Sequence, residues 1–288
     1  MSRPVLVRER GALEEILSGW HGLGESVALV PTMGNLHAGH HRLVERAREL
    51  APRVVVSIFV NPTQFGPNED YLRYPRTLER DLQGLEPLGV DLVYAPEVAD
   101  LYPLGVRGAV RIEVPGLSEI LCGASRPGHF SGVATVVLRL LTAVRPGVAV
   151  FGEKDYQQCA LIRHLVRDLA LPVVIDRVPT LRDPDGLALS SRNQYLSALE
   201  RHEAPFLYRT LRAIVDALEA GSRDFLQLER DACARLEDSG WSPDYVAIRA
   251  EETLAEPDPH ARPAAYRVLG AARLGTTRLI DNIGWRQS

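Results

Sequence analysis

The sequence predicts an α/β protein: a doubly wound parallel sheet with a smaller α+β domain after it. Three observations predict it. Short β-rich runs alternate with helical patterns through the first two thirds of the chain. The run Val54–Val60 is apolar but for Ser57, as expected of a strand covered on both faces by helices. The character then changes after the turn Asp183-Pro184-Asp185-Gly186. The length of 288 residues suits two domains at about 150 residues each, and the boundary is placed between 182 and 183.

Taken in order, Val27–Val30 reads as a strand, followed by a helix over 36–50 with Leu43, Ala47 and Leu50 on one face. After strand Val54–Val60 and a loop, Pro75 can open a helix carrying Leu78, Leu82 and Leu85. Val90–Tyr94 is the next strand. Val133–Val144 reads as a buried helix with Ser131 as its N-cap. Gly147–Phe151 is a strand leading into a helix with the stripe Cys159, Ile162, Val166 and Leu169, and Val173–Val178 closes the series. In the second domain, Ser197 and Glu200 form a capping box opening a helix toward Ala220, and a second helix follows Ser222. Tyr245–Arg249, Tyr266–Ala271 and Thr277–Asp281 read as strands.

Composition narrows the function. With 45% hydrophobic and 24% charged residues, the chain has ordinary globular usage. A net charge of -4 argues against a nucleic-acid partner. No apolar run approaches the ~18 residues of a membrane helix, and the charged N-terminal stretch gives no sign of a signal peptide. Cys122, Cys159 and Cys233 are scattered and form neither a disulfide framework nor a CxxC site. A cytoplasmic protein is expected. One count is sharper: 33 residues are Lys or Arg, and Lys154 is the only lysine among them. Codon bias could leave one lysine anywhere, and a lone lysine is usually solvated, but this one sits at a strand-to-helix junction, where a compact ammonium can meet phosphates.

Ligands of open α/β sheets bind outside the carboxyl ends of the strands, and four clusters fall there. Pro31-Thr32-Met33-Gly34-Asn35-Leu36-His37-Ala38-Gly39-His40 puts two histidines three residues apart at a helix start, where free N–H groups attract anions. The alternative is that one histidine caps the helix and the other lies at the surface. Phe59 to Gly66 offers Asn61 and Gln64, neutral amides suited to a hydroxylated or carboxylated substrate, although Asn-Pro is also ordinary turn chemistry. Phe151-Gly152-Glu153-Lys154-Asp155-Tyr156-Gln157-Gln158 carries the lysine, and Asp155 either caps the helix or approaches Mg²⁺. Leu189-Ser190-Ser191-Arg192-Asn193 can wrap a triphosphate or serve as a plain linker. Arg126 to Phe130 is a basic pocket edge or a turn. No protein nucleophile is evident.

Together, PTMGNLHAGH, FVNPTQFGPNEDYLRYPRT, RPGHFSGVATVV, FGEKDYQQ, LSSRNQYLS and the terminal LGTTRLIDNI resemble the pantoate–β-alanine ligase family, of the HxGH-type nucleotidylyltransferase superfamily. The resemblance spans essentially the whole chain. It implies a Rossmann-like fold, a C-terminal domain that closes over the active site, a homodimer, and ATP-dependent condensation of (R)-pantoate with β-alanine through a pantoyl adenylate. It further implies that Pro31, Thr32, Met33, Gly34, His37, Gly39, His40, Gly152, Glu153, Lys154, Asp155, Leu181, Leu189, Ser190, Ser191 and Arg192 line the ATP site. His37, His40 and Lys154 would be catalytic, with His40 at the proton-donor position. Gln64, Gln158, Asn61 and His129 would take pantoate or β-alanine. Mg²⁺ would arrive with ATP, held mainly by the phosphates and at most by Asp155. Leu189 stands where the family often has Met, a swap of similar volume. Another nucleotidylyltransferase would share the two histidines without the paired glutamine clusters; a silent scaffold would be expected to lack His40 or Lys154. A fragment of an aminoacyl-tRNA synthetase would be expected to carry a basic surface.

Overall fold

The structure, a computed structural model, describes residues 3–67, 69–258 and 265–286. Its contacts group the chain into two compact units, Met1–Glu153 with Leu161–Pro179, and Lys154–Ala160 with Thr180–Ser288.

The first unit is a six-stranded parallel sheet with helices between its strands. Its elements are β1 (Val5–Val7), α1 (Arg10–Gly22), β2 (Val27–Thr32), α2 (Ala38–Leu50), β3 (Arg53–Ile58), α3 (Leu78–Leu85) and β4 (Leu92–Tyr94), then the short α4 (Val98–Leu101), α5 (Gly105–Gly108) and α6 (Cys122–Ser125). These are followed by α7 (His129–Val144), β5 (Val148–Gly152), α8 (Tyr156–Asp168), whose residues up to Ala160 group with the second unit, and β6 (Val174–Val178). Strand order is β1-β4-β3-β2-β5-β6. From β2 the chain moves outward through β3 and β4 on one side and through β5 and β6 on the other. The carboxyl ends of β2 and β5 therefore flank the topological switch point, where sheets of this kind bind ligands. Val54, Val55 and Val56 of β3 are fully buried, as are Ala28, Leu29 and Val30 of β2, which accounts for the uninterrupted apolar runs.

The strand and helix sequence agrees with the expectation, with local differences. β1 and α1 are additions to it: β1 is three residues long, and α1 runs unbroken through Gly11 and Gly19, burying Leu13 and Leu17 as its anchors. The helix expected over 36–50 begins only at Ala38, because His37 is its cap. α7 starts at His129 after Gly128, whose φ of 80° ends the preceding turn; Ser131 lies inside the first turn and is not the cap. Pro75 precedes α3 without joining it. Leu50 and Leu169 are largely exposed, so the apolar stripes of α2 and α8 stop short of them.

The second unit adds α9 (Ala198–Glu203), α10 (Phe206–Glu219), α11 (Phe225–Asp238), β7 (Ser242–Ala250), β8 (Ala265–Leu274) and β9 (Thr277–Arg286). The three strands form an antiparallel sheet in the order β7-β8-β9. Leu211, Ile214 and Leu218 of α10 and Leu236 of α11 share a core with Ile248, Val268 and Ala272 of the sheet. The capping box at Ser197 and Glu200 is present, but the single helix expected toward Ala220 is two: Pro205, which has no N–H to give, separates α9 from α10.

Candidate active site

At the carboxyl end of β2 the chain makes a tight excursion before entering α2. Thr32 donates its hydroxyl to the Ser57 carbonyl (2.8 Å) and accepts the Gly34 N–H (3.2 Å), tying β2 to β3. Gly34 has φ 81° and Asn35 φ 52°. A side chain at Gly34 would also meet Ile58 and the Asp81 carboxylate, so glycine is required there. Asp81, buried in α3, accepts the N–H groups of Asn35 and Leu36, each at 2.9 Å, and holds the turn in place.

The two histidines are capping residues and neighbours at once. His37 is the N-cap of α2, and its Nδ1 accepts the Gly39 N–H at 3.1 Å; His40 Nδ1 accepts the His37 N–H at 3.3 Å. The ring centroids are 4.1 Å apart. A ring nitrogen that accepts from a backbone N–H carries no proton, so each neutral imidazole keeps its hydrogen on Nε2. Both rings are thus set as Nε2–H donors at a helix N-terminus, which itself favours negative charge. Of the alternative reading of the pair, the capping half is met by His37, whereas His40 is half-buried and does not lie out at the surface.

The second cluster lies beyond β3, in the one-turn 3₁₀ helix Pro62–Gln64. Asn61 is fully buried. Its Oδ1 accepts from the Tyr102 hydroxyl (2.8 Å) and from Thr63, and its Nδ2 donates to Gln64 Oε1 (2.9 Å) and the Gly132 carbonyl (3.2 Å). Burial raises the Tyr102 phenol above its ordinary value of 10.0, against the pull of Thr63, Arg139 and Asn61, so it stays a donor. This fixes the Asn61 amide, which in turn fixes Gln64 with its Nε2–H₂ as the donor end. The Gln64 carbonyl accepts from His129 Nδ1 (2.8 Å) and Arg126 Nη2 (3.2 Å), while His129 Nε2 faces Arg126 Nη1 at 3.0 Å. Arg126 also forms two short bonds to Glu69. Burial raises the Glu69 carboxyl, but the Arg126 hydrogen bonds and charge outweigh it, and its pKa falls below the ordinary 4.5. Asn61, Gln64 and His129 are therefore brought together, with both His129 nitrogens turned toward protein groups.

Gly152 ends β5 opposite Val178 of β6, and the Glu153 carboxylate stands 3.8 Å from Arg177. In the second unit Lys154 and Gln158 are half-buried and Asp155 is exposed. The Lys154 carbonyl accepts from Asn282 Nδ2 at 3.0 Å. Leu181 and Leu189 face each other across a hairpin closed by the Asp183–Gly186 turn, with the Leu189 N–H on the Leu181 carbonyl at 3.0 Å. Ser190 caps the following 3₁₀ segment, Ser191–Tyr195, by accepting the Arg192 N–H at 3.2 Å. Arg182 anchors the hairpin through a bidentate pair with Asp281, at 2.6 and 2.8 Å.

A family model described as pantoate-beta-alanine ligase matches residues 5–284. The chain belongs to this family. Pantothenate synthetase of Stenotrophomonas maltophilia is 55% identical over 278 residues, 96% of this chain and 97% of that protein. The enzyme of Methylococcus capsulatus is 53% identical over 96% of each chain. Among solved structures, pantothenate synthetase of Thermus thermophilus superposes with a TM-score of 0.89 at 48% identity, covering 96% of this chain and 98% of that one. The Francisella tularensis ligase, solved in complex with beta-gamma ATP and beta-alanine, gives 0.81 at 36% identity and 97% coverage of both chains.

Asp81, Tyr102, Asn282 and Arg182, which hold the pantoate-beta-alanine ligase motifs in place, do not stand out in the sequence. Asp81 lies 46 residues from Asn35, Tyr102 lies 41 from Asn61, and Asn282 lies 128 from Lys154. Arg182 is 99 residues from its partner Asp281. The only trace is the LIDNI string containing Asp281 and Asn282.

Proposed function

We propose that the chain joins (R)-pantoate to β-alanine using ATP, with pantoyl adenylate as the intermediate. A pantoate carboxylate oxygen attacks the α-phosphorus as the bond to pyrophosphate breaks. The β-alanine amine then attacks the acyl carbon, AMP leaves, and the amine gives up a proton to form the amide. The observation that carries this reading is the placement, beyond the carboxyl ends of the adjacent strands β2 and β3, of two Nε2–H imidazoles and an oriented glutamine amide. The imidazoles of His37 and His40 suit phosphate oxygens, on which negative charge grows as pyrophosphate departs. The Gln64 amide suits the hydroxyl and carboxylate oxygens of pantoate, with Asn61 and His129 setting its pose and Gln158 a second amide for the same substrate.

Pro31, Thr32, Met33, Gly34, Gly39, Gly152, Glu153, Asp155, Leu181, Leu189, Ser190, Ser191 and Arg192 are assigned to ATP. Lys154 neutralises the departing pyrophosphate. No step requires a protein nucleophile, and alignment with charge stabilisation carries the rate. Mg²⁺ would be carried chiefly by the phosphates, with Asp155 as a single protein carboxylate. When bound, the ion would offset phosphate charge. A cytoplasmic homodimer belongs to the same reading; no described helix is long and apolar enough to cross a membrane.

The test is pantoate-dependent exchange of labelled pyrophosphate into ATP, with Mg²⁺ and without β-alanine. Exchange is the expected result. A folded, ATP-binding protein that shows none refutes adenylation of pantoate. Gln64→Ala should weaken pantoate binding and turnover while leaving ATP affinity nearly unchanged; equal loss of ATP affinity refutes the role given to Gln64.

A further inference from the structure

We propose that Asn282 of β9 is a positioning residue for the first half-reaction, setting the main chain of Lys154 so that its ammonium meets the phosphates; this rests on the role of Lys154 given above. Asn282 is buried, and the two ends of its amide do different things. Oδ1 accepts from Arg267 Nη1 at 3.1 Å, and Nδ2 donates to the Lys154 carbonyl at 3.0 Å. A guanidinium has donors only, so Arg267 dictates which way the amide faces. Arg267 is itself held: Nη2 donates to Glu251 Oε1 at 2.8 Å, and its guanidinium lies 3.9 Å from the centre of the Tyr156 ring. The Tyr156 hydroxyl returns to the Glu251 carbonyl at 2.8 Å. One buried network therefore grips the segment at Lys154 and again at Tyr156.

Its other side faces the second nucleotide segment. Asp281, the preceding residue, takes both Nη groups of Arg182, and Arg182 Nη2 also donates to the Asn282 carbonyl at 3.2 Å. Arg182 begins the hairpin that delivers Leu189–Arg192. Two adjacent residues of β9 thus hold in one frame two segments that are separate in the chain. A buried arginine–glutamate pair adds little net stability over apolar packing, whereas it fixes the direction of an amide that only asparagine can supply here.

The substitution Asn282→Asp keeps the size and the acceptor for Arg267 and removes the donor to Lys154, while adding a carboxylate charge beside Arg267 and Asp281. Pyrophosphate exchange is measured beside the second half-reaction, in which chemically prepared pantoyl adenylate meets β-alanine without any pyrophosphate leaving. Exchange is expected to fall at least about tenfold, since displacement of a charge-stabilising group by a fraction of an ångström has effects of this order. The second half-reaction is expected to stay within about twofold of the parent. Unchanged exchange, or a parallel fall in both halves, overturns the proposal. If Asn282→Asp does not fold, Asn282→Ala, which introduces no charge, carries the same comparison. Lys154→Ala separates the two levels: if it retains exchange, the role of Lys154 falls and the proposal with it. If it loses exchange while Asn282→Asp keeps it, only the positioning role falls.

Discussion

The segments bearing Gln64 and Lys154 are each held by a captured backbone carbonyl, yet through different chemistry. Around Gln64 the supports are a buried asparagine amide, a phenol and an imidazole, with one ion pair, Arg126–Glu69, still 15% and 26% exposed. Around Lys154 the support ends in Arg267–Glu251, each side chain 8% exposed. Neutral donors and acceptors can be buried at modest cost once paired. A charge buried to this depth must keep its partner, or the remaining ion is stranded. The Lys154 support is therefore the more brittle of the two.

Glu251→Leu should break the comparison hardest. It strands Arg267 and should cost about 3–5 kcal/mol, read as a shift in the urea midpoint at constant m-value. A loss below about 1 kcal/mol would mean that water reaches the pair. Gly132→Ala comes next. A methyl there collides with the Thr63 carbonyl, pushing α7 from the Gln64 turn, and overpacking of this kind costs about 1–3 kcal/mol. Its kinetic signature should be a raised KM for pantoate with KM for ATP retained.

Glu69→Gln is the smallest effect, about 1 kcal/mol at neutral pH, and it sharpens the contrast through its pH dependence. Because the Glu69 pKa is lowered on folding, its contribution is complete above the ordinary value of 4.5 and is lost as pH falls through the lower, folded value. The gap in thermal midpoint between parent and variant should therefore close on acidification below 4.5. A gap that persists there would assign the effect to packing.

Much of the fold is legible because burial on both faces of a parallel sheet writes continuous apolar runs, as in Val54–Val56. β1 escapes because three strand residues leave no periodic signal. α1 does carry one, Leu13, Ile16, Leu17 and Trp20 at helical spacing, weakened only by the poor helix formers Gly11 and Gly19. The split at Pro205 is hidden by the apolar stripe that continues past it, although the proline marks it. The residues assigned to the substrates also stand out, since histidine, glutamine and a solitary lysine at strand ends are conspicuous. Their supports do not. Asp81, Tyr102 and Asn282 act across loops of many residues, and side-chain direction over such distances is a property of packing that local pattern does not encode.

Lys154 has one more consequence, for handling the molecule. All other side-chain cations of the Lys and Arg class are guanidinium groups, so besides the N-terminal amine the chain offers acylating and imine-forming reagents a single primary amine. Loss of turnover on treatment with such a reagent, and its prevention by ATP, reports on one side chain without any mutation. The same scarcity warns against coupling the protein to amine-reactive surfaces, since the tether would take hold at the residue assigned to pyrophosphate.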